Sequence, residues 1–358
     1  MVFCPIMVVV FIKIFTKTRT IMIRYVYNGK RVKKAMSQAE CIKIGISSCL
    51  IGQTVRYDGS HKRDAYITQT LGQYFAFVPF CPEVSIGLGV PRPTIRLIRQ
   101  DAAAPIQAVN VKDASVDHTA ALSTVIERVI PQLQQVCGYI LKKSSPSCGM
   151  ERVKVYHLTK PNLPPERDGV GLFAHSLKQQ FPLLPIEEEG RLCDPVLREN
   201  FIERVFVYHR WQRLLQTGLT PSELVQFHAD HKYILMAHDQ EMARELGQMI
   251  AQVGVVQDLL PLADAYSRLL MTVLEKRVTR GRHANVLMHL MGYLKPHLDG
   301  MDREELLDTI HHYREGYVPL VVPLTLLKHY FRRHPQPYIE RQHYLNPHPA
   351  ELMLRNQL

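Results

Sequence analysis

The chain has few cysteines and no long apolar run, and both shortages exclude whole classes of protein. Seven cysteines are spread through 358 residues, an odd and sparse set that does not fit a disulfide framework. They fit a reducing compartment, the cytoplasm, better, as metal-binding or catalytic thiols. The apolar stretch near the N-terminus is too short to span a bilayer and lacks the features of a secretory signal. We therefore expect no membrane partner.

Positive charge is in excess, but it is unevenly distributed. The formal net charge is +11, and the first 40 residues alone hold eight Lys or Arg against one acidic residue. The rest of the chain is close to balanced, so a nucleic-acid surface would need local clusters of cations. We expect residues 1–40 to be an extension, either a wrongly assigned start upstream of Met36 or a disordered segment.

The pattern over residues 41–195 predicts an α/β domain. Short apolar runs alternate with segments of helical periodicity, which predict helices at Asp64–Tyr74 and Asp117–Val136. The β-α-β-α-β order is typical of a parallel sheet in a three-layer, Rossmann-like domain. Glu187, Glu188 and Glu189 are expected in a solvated acidic turn near its end.

Residues 196–358 predict an all-α domain. Thr220 and Glu223 form a capping box at the start of a helix that we expect to reach about Val253. Further helices are predicted at Leu259–Val278, His283–Leu294 and Asp302–Glu315. The stripe of His228, His231 and His238 on the first of these helices, with Lys232 beside it, has three open interpretations: a metal site, a phosphate contact or packing against the other domain.

Three apolar runs in the α/β region each lead into a loop with one cysteine. The three cysteines are Cys49, Cys81 and Cys148. Because ligands of such sheets bind beyond the carboxyl ends of the strands, we expect these thiols to converge on one site. They lack the C-x-x-C pairs of zinc ribbons and are one short of a structural zinc site. Three ligands suit an iron–sulfur cluster with one open iron; unrelated buried cysteines are the alternative.

Several motifs occurring in order resemble the 2-thiouracil desulfidase family. They are S-S-C-L-I-G (47–52), V-R-Y-D-G (55–59), F-C-P-E (80–83), G-V-P-R-P (89–93) and S-S-P-S-C-G (144–149). The resemblance implies a [4Fe-4S] cluster held by Cys49, Cys81 and Cys148 with one open iron. It also implies that Glu83 is the catalytic carboxylate and Ser145 the catalytic serine.

The mechanism expected from this resemblance is a hydrolytic, non-redox cleavage of a C–S bond. The thiocarbonyl sulfur of a thiolated uracil would bind the open iron, and Glu83 would activate water for attack on that ring carbon. Ser145 would hold the substrate or the developing anion. Sulfide would leave and uracil remain, so no nicotinamide or flavin is needed, and no motif for either is evident.

The second half is similar to the YbgA-like domain, through F-H-A-D-H-K-Y-I-L-M-A-H (227–238) and M-G-Y-L-K (291–295). The fused architecture resembles bacterial tRNA 4-thiouridine desulfidases, which implies tRNA as the partner and 4-thiouridine as the substrate. The alternatives are a free 2-thiouracil desulfidase and a non-catalytic iron–sulfur sensor or nucleic-acid-binding regulator. Oligomeric state is not indicated by the sequence.

Five polar residues near the cysteines are candidate contacts to substrate or RNA. Arg92, Lys142 and Lys143 are placed by the sequence beside the second and third cysteine loops, where they would meet phosphates. Arg56 and Asp58 follow the first cysteine and are either substrate contacts or partners that stabilise the loop. Surface solvation is the alternative for the three cations.

Overall fold

The computed structural model describes residues 41–101, 104–158, 162–349, 352 and 354–356, and two short strands before them. Apart from these two strands, residues 1–40 lie outside the described residues, so the expectation of an extension there stays a prediction. The strands are β1 Tyr25–Tyr27, β2 Lys30–Val32, β3 Ile42–Ser47, β4 Phe75–Phe80, β5 Ile95–Arg99, β6 Gln107–Asn110, β7 Tyr139–Leu141, β8 Val153–His157, β9 Glu166–Gly169 and β10 Ile186–Glu188.

A four-stranded parallel sheet in the order β10-β7-β3-β4 is the framework of the first half. Its strands β3 and β7 are apolar and nearly fully buried, as expected for parallel strands covered on both faces. The three strands that lead to the cysteines, β7, β3 and β4, are neighbours. Their carboxyl ends therefore lie at one edge of the sheet, as the sequence predicted.

A second, mixed sheet in the order β6-β5-β8-β9 is a feature that the sequence did not predict. Strands β5 and β8 are parallel, whereas β6 and β9 are antiparallel edge strands. Its own small core is formed by Leu97, Ala108, Leu122, Val153 and Val155. Charged residues in β9 hid this strand from a search for apolar runs.

Helices cover both faces of the parallel sheet, which confirms the three-layer arrangement. The first half contains α1 Pro82–Ser85, α2 Thr119–Thr124, α3 Ile130–Leu133 and α4 Leu172–Gln180. In β4, Phe80 contacts Phe173 of α4, with ring centroids 5.3 Å apart. Phe75 contacts Phe206 of the next helix, α5 Pro195–Thr217, at 5.8 Å. Because side chains alternate along a strand, these two contacts lie on opposite faces.

The second half is helical, as predicted. After α5 it comprises α6 Pro221–His238, α7 Gln240–Ala251, α8 Leu259–Glu275, α9 Arg280–Gly292, α10 Gly300–Glu315, α11 Val321–Arg333 and α12 Pro337–Glu340. The Thr220–Glu223 capping box is present. One buried apolar cluster continues from the parallel sheet into these helices. No helix in the described ranges is long and apolar enough to cross a membrane.

Three expected elements differ from the structure. The helix expected to reach Val253 divides at Asp239, whose extended backbone ends α6 and whose carboxylate caps α7. The expected Asp117–Val136 helix is broken into α2, a 3-10 turn and α3, where Pro131 removes a backbone donor. The segment Asp64–Tyr74 forms only a π turn and a 3-10 turn.

The acidic run is not a solvated turn. Ile186–Glu188 is the edge strand β10, and Glu187, Glu188 and Glu189 are all buried. Buried carboxylates are tolerated only when they are paired or accept hydrogen bonds. Each of these three accepts hydrogen bonds or forms an ion pair with a nearby group, and two of those partners lie in the third cysteine loop.

Candidate active site

One cleft of about 340 Å³ contains all three predicted cysteines. Cys49 lies in the 3-10 turn after β3, Cys81 follows β4 directly, and Cys148 ends the loop that follows β7. All three are free thiols. The sequence therefore predicted correctly that the three thiols converge at the carboxyl edge of the sheet.

Burial and mutual proximity make these thiols hard to ionise. Burial, followed by the nearby Cys81, raises the pKa of Cys49 to about 11. Burial is also the largest cause of the raised pKa of Cys81 and of Cys148, and Cys81 adds to the effect on Cys148. Holding three thiolates together here would need a strongly positive group between them.

The loop that carries Cys148 is held at both ends by consecutive glutamates of the acidic run. Glu189 accepts a hydrogen bond from Lys143 N at 2.7 Å at one end. Glu188 accepts a hydrogen bond from Met150 N at 2.7 Å at the other. These two contacts fix the span of the loop between the strand β7 and the start of β8.

The middle of the same loop rests on the N-terminus of α4. Leu172 N donates to Pro146 O, and Ala174 N donates to Ser147 O, each at 3.2 Å. Gly171 permits this approach, because a Cβ there would lie 2.5 Å from Ser147 O. The sequence Gly169-Val170-Gly171 before α4 is thus a tight turn against the cysteine loop, and two of the first N–H groups of the helix, which could otherwise bind a phosphate, are used by loop carbonyls.

Glu83 lies in the cleft with its carboxylate fully oriented. Ser147 Oγ donates to Glu83 Oε1 at 2.7 Å. Arg92 donates to Glu83 Oε2 from Nε at 3.0 Å and from Nη2 at 2.7 Å. Ser145 Oγ accepts hydrogen bonds from the backbone N–H groups of Ser147 and Cys148 and lies 3.0 Å from Ser147 Oγ.

The other predicted contacts have mixed environments. Arg92, expected near a phosphate, is instead paired with Glu83, and its side chain is only 5% exposed. Lys142 is likewise paired, with Glu189. Lys143 is exposed in the cleft with no acidic partner among the described residues. Asp58 accepts hydrogen bonds from Ser60 and stabilises its own turn rather than lining the cleft.

Two cations of the first cysteine loop also line the cleft. Arg56 has a buried Nε without a hydrogen-bond partner in the part of the chain described, and its ion pair with Asp58 is long, at 3.8 Å. Lys62, which the sequence did not single out, is exposed, and its backbone N–H donates to Cys49 O at 2.9 Å. It stands between His61 and Arg63, so a further basic residue there gave no distinct signal in the sequence.

The donor set fits a polynuclear iron–sulfur group better than isolated structural cysteines. Three thiols from three adjacent strands face one cleft, and thiolate is the ligand that such clusters prefer. The buried hydroxyl of Tyr139, on the strand β7 that leads to Cys148, has no hydrogen-bond partner among the described residues. Within those residues, no three His, Cys, Asp or Glu side chains are grouped to hold a single metal ion.

The histidine stripe of α6 is a set of packed side chains rather than one binding surface. His228 Nδ1 lies 3.2 Å from Tyr266 Oη, and burial lowers the pKa of His228 to about 4. His231 is buried with Nδ1 2.7 Å from Phe227 O. Lys232, directly after His231, is exposed. Their partners lie in α6 and α8, so these two histidines pack within the helical half and not against the other domain, as one of the three interpretations had it.

His238 lies apart from the other two, at a second cavity of about 310 Å³ in the helical half. Its Nδ1 is 2.6 Å from Lys276 O, and its Nε2 is 3.0 Å from Glu203 Oε2. Burial would raise the pKa of Glu203, but the hydrogen bond and charge of His238 and the charge of Arg355 lower it to about 2. Both ring nitrogens of His238 therefore have protein partners.

Comparison with known proteins divides the chain as the fold does. Residues 44–189 match the model of the 2-thiouracil desulfurase family, and residues 232–349 match that of a protein family of unknown function, DUF1722. The uncharacterized protein YbgA of Escherichia coli (strain K12) is 34% identical over 158 residues, which are 44% of this chain and 94% of YbgA.

A solved structure, the [4Fe-4S]-dependent thiouracil desulfidase TudS, is 29% identical to this chain. The match covers 43% of this chain and 94% of TudS, with a TM-score of 0.34. By the family models and the YbgA match, residues 44–189 form a 2-thiouracil desulfurase-like domain, and the chain belongs to the YbgA-like family through its helical part.

Proposed function

We propose that this protein is an iron–sulfur-dependent desulfidase that hydrolyses the C–S bond of thiolated uracil, with 4-thiouridine in tRNA as its substrate. The observation that carries the proposal is the presence of Glu83, oriented by Arg92 and Ser147, in the same cleft as three convergent thiols. A ligand set alone would suit a sensor. An oriented carboxylate beside it suits a catalyst.

The cofactor of this proposal is a [4Fe-4S] cluster held by Cys49, Cys81 and Cys148. When bound, it would supply an iron with an open coordination position, a Lewis acid suited to a soft thiocarbonyl sulfur. Positive charge on such a group would also lower the cost of keeping three buried thiols ionised.

The protein's own groups supply a path for a proton. Ser147 gives its single hydroxyl proton to Glu83, so Ser145 is the donor in the contact between the two serines. A proton can therefore move from a group at Ser145 Oγ through Ser147 Oγ to Glu83 Oε1. In the overall reaction, water provides the oxygen of the product carbonyl and the sulfur leaves as sulfide, with no net oxidation or reduction.

Unpaired positive charge around the cleft supports a polynucleotide over a free base. Five cations line it, and Arg92 and Lys142 are neutralised by Glu83 and Glu189. Lys62 and Lys143 have no acidic partner among the described residues, and Arg56 has only its long ion pair with Asp58. A neutral uracil ring gains little from such charges, whereas phosphates on either side of a nucleotide would bind them. The base itself would leave its stack to enter the cleft.

The function is tested by anaerobic reconstitution of the full chain, followed by incubation with 4-thiouridine-containing tRNA and with free 2-thiouracil. Loss of thiocarbonyl absorbance and release of sulfide report turnover. Faster turnover of tRNA is the expected result. Turnover of the free base alone would show that 2-thiouracil, and not tRNA, is the substrate. A protein that binds its cluster but acts on neither compound would favour the alternative, an iron–sulfur sensor.

A further inference from the structure

Tyr57 presents an aromatic ring at the rim of the cysteine cleft. It is one of the residues that line the cleft, yet it is 41% exposed, whereas Cys49 and Cys148 are only 8% and 6% exposed. The ring therefore lies nearer to the mouth of the cleft than these thiols do. A lone exposed aromatic residue is common on protein surfaces, so its relevance to a ligand depends on how the ring is held and on what surrounds it.

A rigid turn holds the backbone of Tyr57. Gly59 N donates to Arg56 O at 2.9 Å, and Arg56 N donates to Ser60 O at 3.2 Å. These bonds close a turn with Tyr57 at its tip, and Gly59 has a φ of +73°, which favours glycine. Arg92 N also donates to Tyr57 O at 2.8 Å. The ring is thus presented from a fixed backbone, which lowers the entropy that is lost when a ligand binds.

A guanidinium covers one face of the ring. Arg56 Cζ lies over the Tyr57 ring at 5.4 Å from the ring centroid, which is a cation–π distance. Its ion pair with Asp58 is long, at 3.8 Å, so this carboxylate does not hold the guanidinium away from the ring. Because one face is covered, the ring can receive a planar group only on its other face.

Unpaired cations and an apolar neighbour surround this ring. Lys62 and Lys143 line the same cleft and have no acidic partner among the described residues. Val90, also 41% exposed, lies beside the turn, because a Cβ at Gly59 would be 3.9 Å from Val90 Cγ1. Proteins bind single-stranded nucleic acid with this combination, in which cations contact phosphates and an aromatic ring stacks on a base.

From this geometry we infer that Tyr57 stacks on the nucleobase next to the thiouridine in the RNA chain, while the thiouridine itself turns into the cleft. The thiolated base must reach the buried thiols, so the base that meets a ring at the rim is its neighbour in the chain. Stacking accepts any base, so Tyr57 favours a polynucleotide over a free nucleoside without reading the neighbouring sequence. The inference rests on the proposed function, because it requires RNA at this cleft.

The test combines substitutions of Tyr57 with a measurement of RNA binding. The full chain, reconstituted with its cluster, is titrated with a short labelled oligoribonucleotide that carries uridine in place of the thiouridine, so that no turnover occurs. We expect Tyr57→Ala to weaken binding about tenfold, in the range found when alanine replaces an aromatic residue that stacks on one base. Tyr57→Phe should bind nearly as well as wild type. Tyr317→Ala, at a tyrosine that is 75% exposed in the helical half, is the matched control and should bind as wild type does.

An abasic nucleotide separates stacking from a structural effect of the substitution. At one of the two positions next to the uridine, it should weaken binding to wild type about tenfold. It should weaken binding to Tyr57→Ala hardly at all, because the same contact is already lost. Tyr57→Trp gives a second measurement, since the single tryptophan of the chain, Trp211, is buried. Intact RNA should quench the new fluorescence, and the abasic RNA should not.

The outcomes that contradict the inference differ from those that contradict the proposed function. An abasic nucleotide that weakens binding equally in wild type and in Tyr57→Ala, at both positions, would overturn the inference. The proposed function would still stand if the wild-type chain released sulfide from 4-thiouridine tRNA. A reconstituted wild-type chain that neither binds the oligoribonucleotide nor releases sulfide from thiolated tRNA would remove the proposed function, and the inference with it.

Discussion

Arg92 donates two hydrogen bonds to the same carboxylate oxygen of Glu83, from Nε at 3.0 Å and from Nη2 at 2.7 Å. Its remaining donors reach Val55 O at 2.9 Å and Gly89 O at 3.1 Å. The guanidinium is thus fixed by the backbone on one side and fixes the carboxylate on the other. Glu83 Oε1 is left to accept from Ser147, which gives the carboxylate a single orientation.

Replacing Arg92 should therefore impair catalysis through Glu83 without removing a cofactor ligand. We expect Arg92→Ala to lower kcat by about 10²-fold, the usual cost of misplacing a catalytic group by about 1 Å. Arg92→Lys should restore only part of it, because an ammonium cannot reproduce the fork. Iron content and cluster absorbance should match wild type. The control is Arg167→Ala, an exposed arginine outside the cleft; equal losses in both variants would contradict this role.

The glutamates that hold the third cysteine loop should matter for stability and for cofactor retention. Glu189→Gln keeps an acceptor for Lys143 N but leaves the half-buried ammonium of Lys142 unpaired. We expect a loss of about 1–3 kcal/mol in the free energy of unfolding, with faster loss of iron from the reconstituted protein. Glu127→Gln, at an exposed carboxylate, is the comparison. A Glu189→Gln protein as stable as this control would show that the contacts of Glu189 with the cysteine loop do not stabilise the fold.

The unpaired cations of the cleft should account for RNA binding. The double variant Lys62→Ala/Lys143→Ala should lose about two phosphate contacts, which would lower the salt slope of RNA binding by about 0.7 for each. The same variant should also lose preference for RNA: its kcat/KM for a 4-thiouridine oligoribonucleotide, divided by its kcat/KM for free 4-thiouridine, should be lower than that of wild type. Lys154→Ala, an exposed lysine on β8, is the matched control. A double variant with the wild-type salt slope would mean that phosphates do not bind at this rim.

Neutral histidines in the helical half should make the protein sensitive to acid. Burial, with Lys232 nearby, lowers the pKa of His228 from 6.5 to about 4. At a pH between these two pKa values, the unfolded chain binds a proton at His228 that the folded chain does not. The free energy of unfolding therefore falls as the pH drops through this window. The loss from about pH 7.5 to about pH 5 should be about 2 kcal/mol for this residue.

Urea unfolding at both pH values measures this effect. His228→Gln can still bond Tyr266 and does not titrate, so its stability should depend less steeply on pH than that of wild type. His311→Gln, at an exposed histidine, should leave the dependence as it is. An unchanged pH dependence in His228→Gln would argue against a neutral buried His228.

The fold and the convergence of the cysteines were predictable because they depend on local patterns. Apolar runs marked β3, β4 and β7, and parallel strands place their carboxyl ends together whatever their exact length. The pairings inside the cleft were not predictable in the same way. Lys142 and Glu189 are 47 residues apart, and nothing in either neighbourhood indicates that the two would meet.

The acidic run shows why composition misled at one point. Three consecutive glutamates have low strand propensity and are usually solvated. Here Glu188 and Glu189 accept backbone N–H groups of the cysteine loop, and Glu187 pairs with Arg191 at 2.6 Å. Tertiary partners outweigh the local preference, as they do for the charged strand β9. The unpaired hydroxyl of Tyr139 is likewise visible only once the strands are assembled.

The most direct test of the account separates the carboxylate from the sulfur ligands. Reconstituted Glu83→Gln protein should keep the iron and sulfide content of wild type and lose about 10²–10⁴-fold in the rate of sulfide release from 4-thiouridine tRNA. Cys148→Ser should instead lose iron. A Glu83→Gln protein that binds its cluster and releases sulfide at the wild-type rate would contradict the central claim that Glu83 acts in the reaction.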